Sequence, residues 1–275
     1  MSVIEAHLLG APLRSRTVAE TLSYVYAISR KGADLQPGAT GIAGSEVRLV
    51  SSGELTALVS TVSAEEFGEQ GLRKNLEDLR WLERTVREHN RVVDAAAATS
   101  TVAPLALATV YYNDARVQAA LTEQAPMFLD VLELIAGRTE WGVKAYADLV
   151  GSTSGEPAEP ETGEGERPGQ AYLRKIREQR KGRAEAEHEA VERASEIHDA
   201  LSELAHANRV HPPQNRDLAA YRGLMVLNGA YLVDDARTEE FTSAIDEIKS
   251  GSSLQIELTG PWAPYSFAVV SAERQ

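Results

Sequence analysis

The chain of 275 residues contains no cysteine, which excludes disulfides, thiolate metal ligands and cysteine nucleophiles. It also lacks an excess of positive charge, because 28 Lys and Arg stand against 41 Asp and Glu, for a net charge of −13. A general nucleic-acid binder needs a basic face, and so does a protein that adsorbs to an anionic membrane. We therefore expect neither nucleic acid nor membrane as a partner.

Long apolar runs are also missing. The two longest, residues 102–112 and 224–233, are about half of the ~20 residues that a membrane-spanning helix needs. Residues 1–5 have neither the basic start nor the apolar core of a signal peptide. These absences predict a soluble cytoplasmic protein, and the length predicts two domains of about 150 residues each.

The first half of the chain alternates strand and helix patterns. A strand is predicted at 22–29, a loop at 32–44, and a hairpin of strands 46–50 and 55–62 around a turn at 51–53. An apolar stripe predicts one long helix at 72–98, and a continuous apolar run predicts a buried strand at 102–112. Asn113-Asp114 is an N-cap candidate for a helix that ends before Gly137.

The second half has a different order of elements. We predict a strand at 139–146, a helix at 170–207, strands at 210–217 and 224–233, a helix at 236–249, and strands at 254–258 and 267–270. Residues 151–169 are acidic, rich in Gly and Pro and without a large apolar side chain, which predicts a flexible loop. Up to the strand at 254–258, the order βαββαβ is that of the ferredoxin-like fold.

The predicted fold class is therefore α+β with two domains. An N-terminal mixed α+β domain spans 1–136, with an extension at 1–20. A C-terminal modified ferredoxin-like (βαββαβ) domain spans 137–275 and contains the acidic flexible loop at 151–169. The boundary is placed near residue 137, because the acidic segment falls inside the second pattern.

Catalytic and metal-binding patterns are not found in the sequence. The glycine-rich segment 38–44 precedes a strand and lacks the Lys-Ser/Thr of a phosphate-binding loop. No two of the six histidines stand four residues apart, as a helical zinc pair requires, and there is no Gly-x-Ser-x-Gly nucleophile motif. His89 continues the apolar stripe of its helix and is predicted to be a satisfied, half-buried histidine. We therefore predict no catalytic residue, no metal and no cofactor.

A basic run stands out in this acidic chain. Six of the ten residues at 174–183 are basic, and we single out Arg174, Lys175, Arg177, Arg180 and Lys181. Such a run is often a solvated helix face whose charges pair with residues four positions away. The alternative is a docking surface for an acidic partner.

The second candidate is the aromatic corner, residues 259–267, which holds Trp262, Tyr265 and Phe267 in a chain with only 6% aromatic residues. Pro261 and Pro264 cannot lie in the middle of a strand ladder, so a stiff corner is predicted at the end of a central or near-central strand. We expect Trp262 and Tyr265 to be divided between core and surface, with Trp262 in the core. Both are also candidates for partner contact.

Several segments together resemble one family, the gas-vesicle accessory proteins F and L. The matching pieces are 24–28, Trp81-Leu82, His89-Asn90, 102–110, 137–146, Tyr172-Leu173 with Arg177, 228–233 and 258–267. Two features depart from the family. Ala106-Leu107-Ala108-Thr109 stands where the family commonly has Arg-Phe-Gly-Thr, and the segment before Tyr24 is longer. The alanines favour an L-type protein.

The resemblance implies a non-enzymatic role in building gas vesicles, which are hollow protein-walled organelles. It implies a minor structural component or assembly factor that binds the shell protein and other accessory proteins, located at the gas vesicle in the cytoplasm. It carries over no catalytic residue and no cofactor. Two alternatives remain open: a small-molecule-binding sensor or enzyme on a ferredoxin-like fold, and a self-assembling scaffold.

Overall fold

The structure, a computed structural model, describes residues 21–35, 39–148, 168–213 and 223–268. By its contacts the chain divides into two compact units. The second unit is Trp141–Gly260, and the first comprises the chain up to Glu140 together with the segment that begins at Pro261. The predicted boundary lies four residues from the first division, but the C-terminal segment groups with the first unit and not with the second.

The first unit contains one sheet and five helices among its described residues before Glu140. Its strands are β1 Thr21–Arg30, β2 Arg48–Ser52, β3 Leu55–Ser63, β4 Val102–Pro104 and β5 Val110–Tyr111. Its helices are α1 Ala64–Phe67, α2 Glu69–Asn75, α3 Leu79–Ala97, α4 Asp114–Glu123 and α5 Ala125–Ile135, and a 3-10 turn covers Ile42–Gly44. The sheet order is β2-β3-β1-β4, with β5 also paired to β1.

The central strand β1 is buried on both faces, since every residue from Leu22 to Ser29 is buried. It pairs antiparallel with β3, β4 and β5. The side chains of Tyr24 and Tyr26 lie in the main core, together with Phe67 and Trp81. Because both faces of β1 are buried, apolar side chains occur at both sets of alternating positions.

The predicted continuous helix at 72–98 is wrong, because the segment forms two helices, α2 and α3. Asp78 interrupts it and caps α3, because its carboxylate accepts hydrogen bonds from the backbone N–H groups of Arg80 and Trp81. The interruption changes which side chains face the core. Leu79, whose spacing from Leu72 and Leu76 places it in the predicted apolar stripe, is 77% exposed. The buried residues of α3 are Trp81, Thr85, His89, Val92, Val93 and Ala96.

The predicted strand at 102–112 is also interrupted. It forms only β4 and β5, because the backbone leaves the ladder between them and Ala108 adopts a left-handed conformation with φ 63°. Glycine favours this conformation, and the resembled family has glycine at this position. The backbone N–H of Ala108 donates a hydrogen bond to the hydroxyl of Tyr24 (3.0 Å), so the buried tyrosine stabilises the irregular segment between β4 and β5.

The predicted helix at 113–136 is divided into α4 and α5. Asn113 caps α4 as predicted, since its side chain accepts from the backbone N–H of Arg116. Pro126 lies in the first turn of α5, where a missing N–H costs nothing. The chain leaves α5 through Gly137, which has φ 66°.

Gly137→Ala is expected to lower the free energy of unfolding by about 1 kcal/mol, because a side chain disfavours the left-handed conformation. An added Cβ would meet no atom within 4 Å, so the cost comes from the backbone alone. Urea unfolding measures it. Gly251→Ala, which also meets no atom but has no positive φ, is the control and should not be destabilised. Equal loss in both variants would contradict the explanation.

The second unit has a four-stranded sheet in the order β7-β8-β6-β9. Its elements are β6 Arg138–Ala147, α6 Pro168–Leu204, β7 Ala207–Val210, β8 Leu224–Asp234, a 3-10 turn Asp235–Arg237, α7 Thr238–Gly251 and β9 Gln255–Trp262. Strands β7 and β8 are antiparallel. The core of this unit joins the sheet to α6 and α7 through buried side chains such as Tyr231, Phe241, Ile245 and Leu201.

Two predictions for the C-terminal segment are wrong. Strand β9 is an edge strand, not a central one, and it continues through Pro261 to Trp262. An edge position tolerates proline because one side of the strand needs no ladder hydrogen bonds. The described part of the predicted strand at 267–270 is instead the end of a helical turn, α8 Tyr265–Ala268, and residues 269 and 270 lie outside the described residues.

Other predictions fall wholly or partly outside the described residues. They concern the extension at 1–20, most of the loop at 151–169, and part of the strand at 210–217. Pro168 and Gly169 belong to α6, and β7 ends at Val210.

Candidate functional site

The aromatic corner is attached to the first unit by a buried carboxylate. Glu140 is 8% exposed, and its Oε2 accepts a hydrogen bond from the backbone N–H of Ser266 (2.8 Å). Its Oε1 accepts a second from the Ser266 hydroxyl (2.6 Å). Hydrogen bonds to an ionised group are stronger than neutral ones. Glu140 therefore fixes the position of α8, which begins within the aromatic corner.

A second polar contact and three apolar side chains complete the attachment. The Tyr265 hydroxyl donates to Oδ1 of Asn90 on α3 (3.1 Å). Burial raises the pKa of Tyr265, so the hydroxyl stays protonated and remains a donor. Ala263, Phe267 and Ala268 are buried. The corner is thus a fixed structure and not a loose end.

Trp262 stands at the tip of this fixed structure and is 50% exposed. The prediction that Trp262 lies in the core is therefore wrong, and the two aromatic residues are divided the other way round. Tyr265 is partly buried against the core, and Trp262 faces solvent. The reversal follows from the edge position of β9, which leaves its last residue uncovered.

The basic run lies on the N-terminal half of α6. Arg174, Arg177, Arg180 and Lys181 are all exposed, whereas the side chain of Lys175 lies outside the described part of the structure. Arg174 reaches Glu178 at 3.9 Å and Lys181 reaches Glu185 at 3.6 Å. Exposed pairs of this kind contribute about 0.2–1 kcal/mol at most. No ion pair within the described residues involves Arg177 or Arg180.

The buried side chains among the described residues of α6 lie in its second half. Ala190, Ala194, Ile197 and Leu201 are buried against the second unit, at helical spacing. From Arg174 to Glu189 no described side chain is buried. These sixteen residues, which we call the arm, extend over about 24 Å at 1.5 Å per residue.

A buried polar contact joins His89 of α3 to Tyr24 of β1. His89 is 1% exposed, and its Nδ1 lies 2.9 Å from the Tyr24 hydroxyl. Burial lowers the pKa of His89 to about 4; the backbone carbonyl of Leu105 acts weakly in the opposite direction. Nε2 has no well-formed hydrogen bond among the described residues. His89 is more deeply buried than predicted and is neutral at pH 7.

One surface depression and the distribution of metal-ligating side chains are the features of the described residues that bear on small-molecule and metal binding. A surface depression of about 290 Å³ in the first unit is lined by polar and apolar residues, which are Ser29, Arg30, Ala33, Ser100, Thr101, Leu132 and Ala136. No carboxylate or histidine lines it. The described ranges contain no cluster of three or more potential metal ligands. Within these ranges, no helix has the length and apolar character needed to cross a bilayer.

Comparison with known proteins decides the family. The model of the gas vesicle synthesis protein GvpL/GvpF family matches residues 22–269, which is most of the chain. The chain belongs to the GvpL/GvpF family. The resemblance stated from the sequence is thereby confirmed, and the family supports a gas vesicle-related role.

Relatives of both types are similar to this chain. Gas vesicle protein L of Streptomyces sp. (strain CB03234) is 40% identical over 92% of this chain and 95% of its own length. Gas vesicle protein F of the same organism is 28% identical over 89% of this chain and 98% of its own length. The higher identity to the L protein agrees with the L-type prediction.

Two solved structures share the fold. The crystal structure of GvpF from Anabaena sp. PCC7120 has a TM-score of 0.60 at 20% identity, and covers 91% of this chain and 97% of its own. GvpF from Microcystis aeruginosa has a TM-score of 0.59 at 18% identity, with coverages of 90% and 99%. These similarities confirm a mixed α+β GvpF-like fold.

Sequence reasoning missed the residues that hold the corner. Glu140 and Asn90 contact Ser266 and Tyr265 across 126 and 175 positions of the chain. A glutamate in the middle of an otherwise strand-like segment was a signal, because a buried charge needs a partner. Nothing in the sequence indicated which residue that partner is.

Proposed function

We propose that this protein is a gas vesicle accessory protein that binds the shell protein and other accessory proteins during vesicle formation. It acts as an assembly factor or minor structural component in the cytoplasm. Family membership supports the gas vesicle role. The observation that supports binding is the exposed Trp262 on a corner fixed by Glu140 and Asn90.

A fixed, exposed tryptophan has the properties of an interface anchor. Tryptophan is enriched among the residues that dominate binding energies, because it buries a large area on association. Side-chain and loop ordering normally opposes binding, and a corner already held by hydrogen bonds loses less freedom. We propose Trp262 as the main contact and the partly buried Tyr265 as its support.

The basic run is the second proposed contact surface, formed by Arg174, Lys175, Arg177, Arg180 and Lys181. The charge of Arg177 and Arg180 is not neutralised by an ion pair within the described residues, so both can meet an acidic partner. Electrostatic attraction of this kind mainly increases the association rate and weakens with salt.

We further propose that the second unit is a modified ferredoxin-like domain. The element order from β6 to β9 and the sheet order β7-β8-β6-β9 support this. We keep the domain division near residue 137, with one change: the segment from Pro261 onward belongs with the first domain.

Trp262→Ala is expected to leave the free energy of unfolding within about 0.5 kcal/mol of the parent, as for other exposed substitutions. The same variant should weaken binding to a vesicle partner by about 2 kcal/mol or more, roughly thirtyfold. The measurement is pairwise co-purification with each gas vesicle protein, followed by titration of the pair that forms.

Phe267→Ala is the matched control, because this neighbour is buried and should cost about 3–5 kcal/mol of stability. A large stability loss in Trp262→Ala would make the tryptophan structural. Unchanged binding in Trp262→Ala would remove it as a contact.

A further inference from the structure

The face of α6 opposite its packing face has an ordered sequence of charges. The buried residues Ala190, Ala194, Ile197 and Leu201 define the packing face. At 100° per residue, eleven described residues within about 50° of the opposite direction are exposed, among them Glu178, Ser195 and Glu203. The other eight form what we call the charged seam. In chain order they are Arg174, Arg177, Lys181, Glu185, His188, Glu192, Glu196 and Asp199.

The seam is self-complementary. Its spacing is 3, 4, 4, 3, 4, 4, 3, which reads the same in both directions, and its N-terminal end is basic whereas its C-terminal end is acidic. If a second helix of the same sequence runs antiparallel with its centre between Ala186 and Glu187, each basic residue meets an acidic one. The facing residues are Arg174 with Asp199, Arg177 with Glu196, Lys181 with Glu192, and Glu185 with His188.

Several charges of the seam already form exposed pairs within their own helix, including His188 with Glu192 at 3.4 Å. Arg177 has no ion pair among the described residues. The Arg174–Glu178 and Lys181–Glu185 pairs are long, at 3.9 and 3.6 Å. Both place the basic residue before the acidic one, which is the less favourable order on a helix. The tightest competitor is Arg193, which reaches Glu196 at 2.7 Å.

The arm adds a second reason for a partner. It has no buried side chain among its described residues and only one partly buried aliphatic residue larger than alanine, Ile176. A polar helix without packing is marginal in water. Antiparallel pairing would lay the arm of one copy along the packed half of the other. Both arms would then be supported by a two-fold, isologous contact.

We propose that two copies of this chain associate through the charged seams of α6, antiparallel and two-fold symmetric. The occupant of the seam is a second copy, because its charge order matches the same order reversed. This inference does not rest on the proposed vesicle role. The basic run would then serve two contacts. The proposed function assigns it to other vesicle proteins, and these would compete with the second copy for it.

The test uses charge reversal with the full chain in sedimentation experiments at about 20 mM and about 500 mM NaCl. The parent should form a dimer that dissociates at high salt. Arg177→Glu and Glu196→Arg each place like charges opposite one another twice per dimer. Each should raise the dimer dissociation constant by about tenfold or more. An equimolar mixture of the two variants should restore a dimer, and so should the double variant alone.

Both variants are expected to keep the helix, because each new charge gains a partner of opposite sign in the favourable i,i+4 order. Glu196→Arg exchanges the pair with Arg193 for this new one. The carboxylate introduced by Arg177→Glu lies four residues before Lys181, and the guanidinium introduced by Glu196→Arg lies four residues after Glu192. Circular dichroism checks that the helix is retained. Arg180→Glu makes the same charge change away from the seam and should leave the dissociation constant within about threefold of the parent.

A monomeric parent at low salt overturns the proposal, and so does a mixture that fails to restore the dimer. Equal weakening by Arg180→Glu would also overturn it. If the seam serves an acidic segment of another protein, the free chain is monomeric and only that complex responds to Arg177→Glu. Failure to co-purify any vesicle protein would count against the proposed function and leave the dimer result unaffected.

Discussion

Lowering the pH from about 7.5 to about 5 is expected to remove about 2 kcal/mol from the free energy of unfolding of the first unit, through His89 alone. Burial lowers the pKa of this histidine from 6.5 to about 4. Between these two values the unfolded chain binds a proton that the folded protein does not. Stability is therefore complete above pH 6.5 and is lost as the pH falls toward 4, by about 3 kcal/mol in total.

The structure provides a reason why the folded protein resists this proton. The Tyr24 hydroxyl accepts a hydrogen bond from the N–H of Ala108 and can donate its own hydrogen to Nδ1 of His89. Burial raises the pKa of Tyr24, so the hydroxyl keeps that hydrogen. A proton on Nδ1 would reverse the direction of this contact and leave a charge in the core, where no carboxylate of the described residues is hydrogen-bonded to the ring.

The experiment compares urea unfolding at pH 7.5 and pH 5 for the parent and for His89→Gln. The variant is expected to be less stable at pH 7.5, because the hydrogen bond between the Tyr24 hydroxyl and Nδ1 of His89 is lost. The change in its free energy of unfolding between the two pH values should be smaller by about 2 kcal/mol. The difference between the two pH dependences isolates His89 from the carboxylates that also titrate. The same slope in both proteins would contradict a buried neutral histidine.

Glu140→Ala is expected to lower the free energy of unfolding by about 3 kcal/mol. The change removes two hydrogen bonds to a buried carboxylate, each worth about 1.5–3 kcal/mol, and it leaves the N–H of Ser266 without its acceptor. Because Glu140 holds α8, binding through Trp262 should fall as well, although the tryptophan is still present. Urea unfolding and partner titration measure the two effects.

Two controls make this result specific. Glu140→Gln keeps an oxygen for the Ser266 N–H and an amide for its hydroxyl, so we expect a loss of about 1 kcal/mol or less. Glu77→Ala removes an exposed carboxylate from the same unit and should change stability by no more than about 0.5 kcal/mol. If Glu140→Ala resembled Glu77→Ala, the carboxylate would not be what fixes the corner.

Local signals predicted most of the regular structure. β1, β8, the long helix α6 and the cap at Asn113 follow from patterns that one segment carries by itself, such as alternation, helical period or a capping side chain. The family was also predictable, because the order of several weak segments is specific even when each segment is not. The family match then confirmed it.

Two of the errors have a different cause, which is the arrangement of segments that are distant in the chain. The irregular backbone segment at Ala108 depends on the hydroxyl of Tyr24, which is 84 positions away. The exposure of Trp262 depends on β9 being at the edge of its sheet, and sheet order is not encoded in the pattern of one strand. The break at Asp78 was a local signal that the apolar stripe obscured, because leucines continue across it.

The central claim is that this protein supports vesicle assembly through the exposed corner, and vesicle formation in cells tests it most directly. Cells would express the full set of gas vesicle proteins with the parent chain, with Trp262→Ala, or without the chain, at matched protein levels. Electron microscopy would count the vesicles. We expect few or none without the chain and a strong reduction with Trp262→Ala. A full number of normal vesicles with Trp262→Ala would contradict the account.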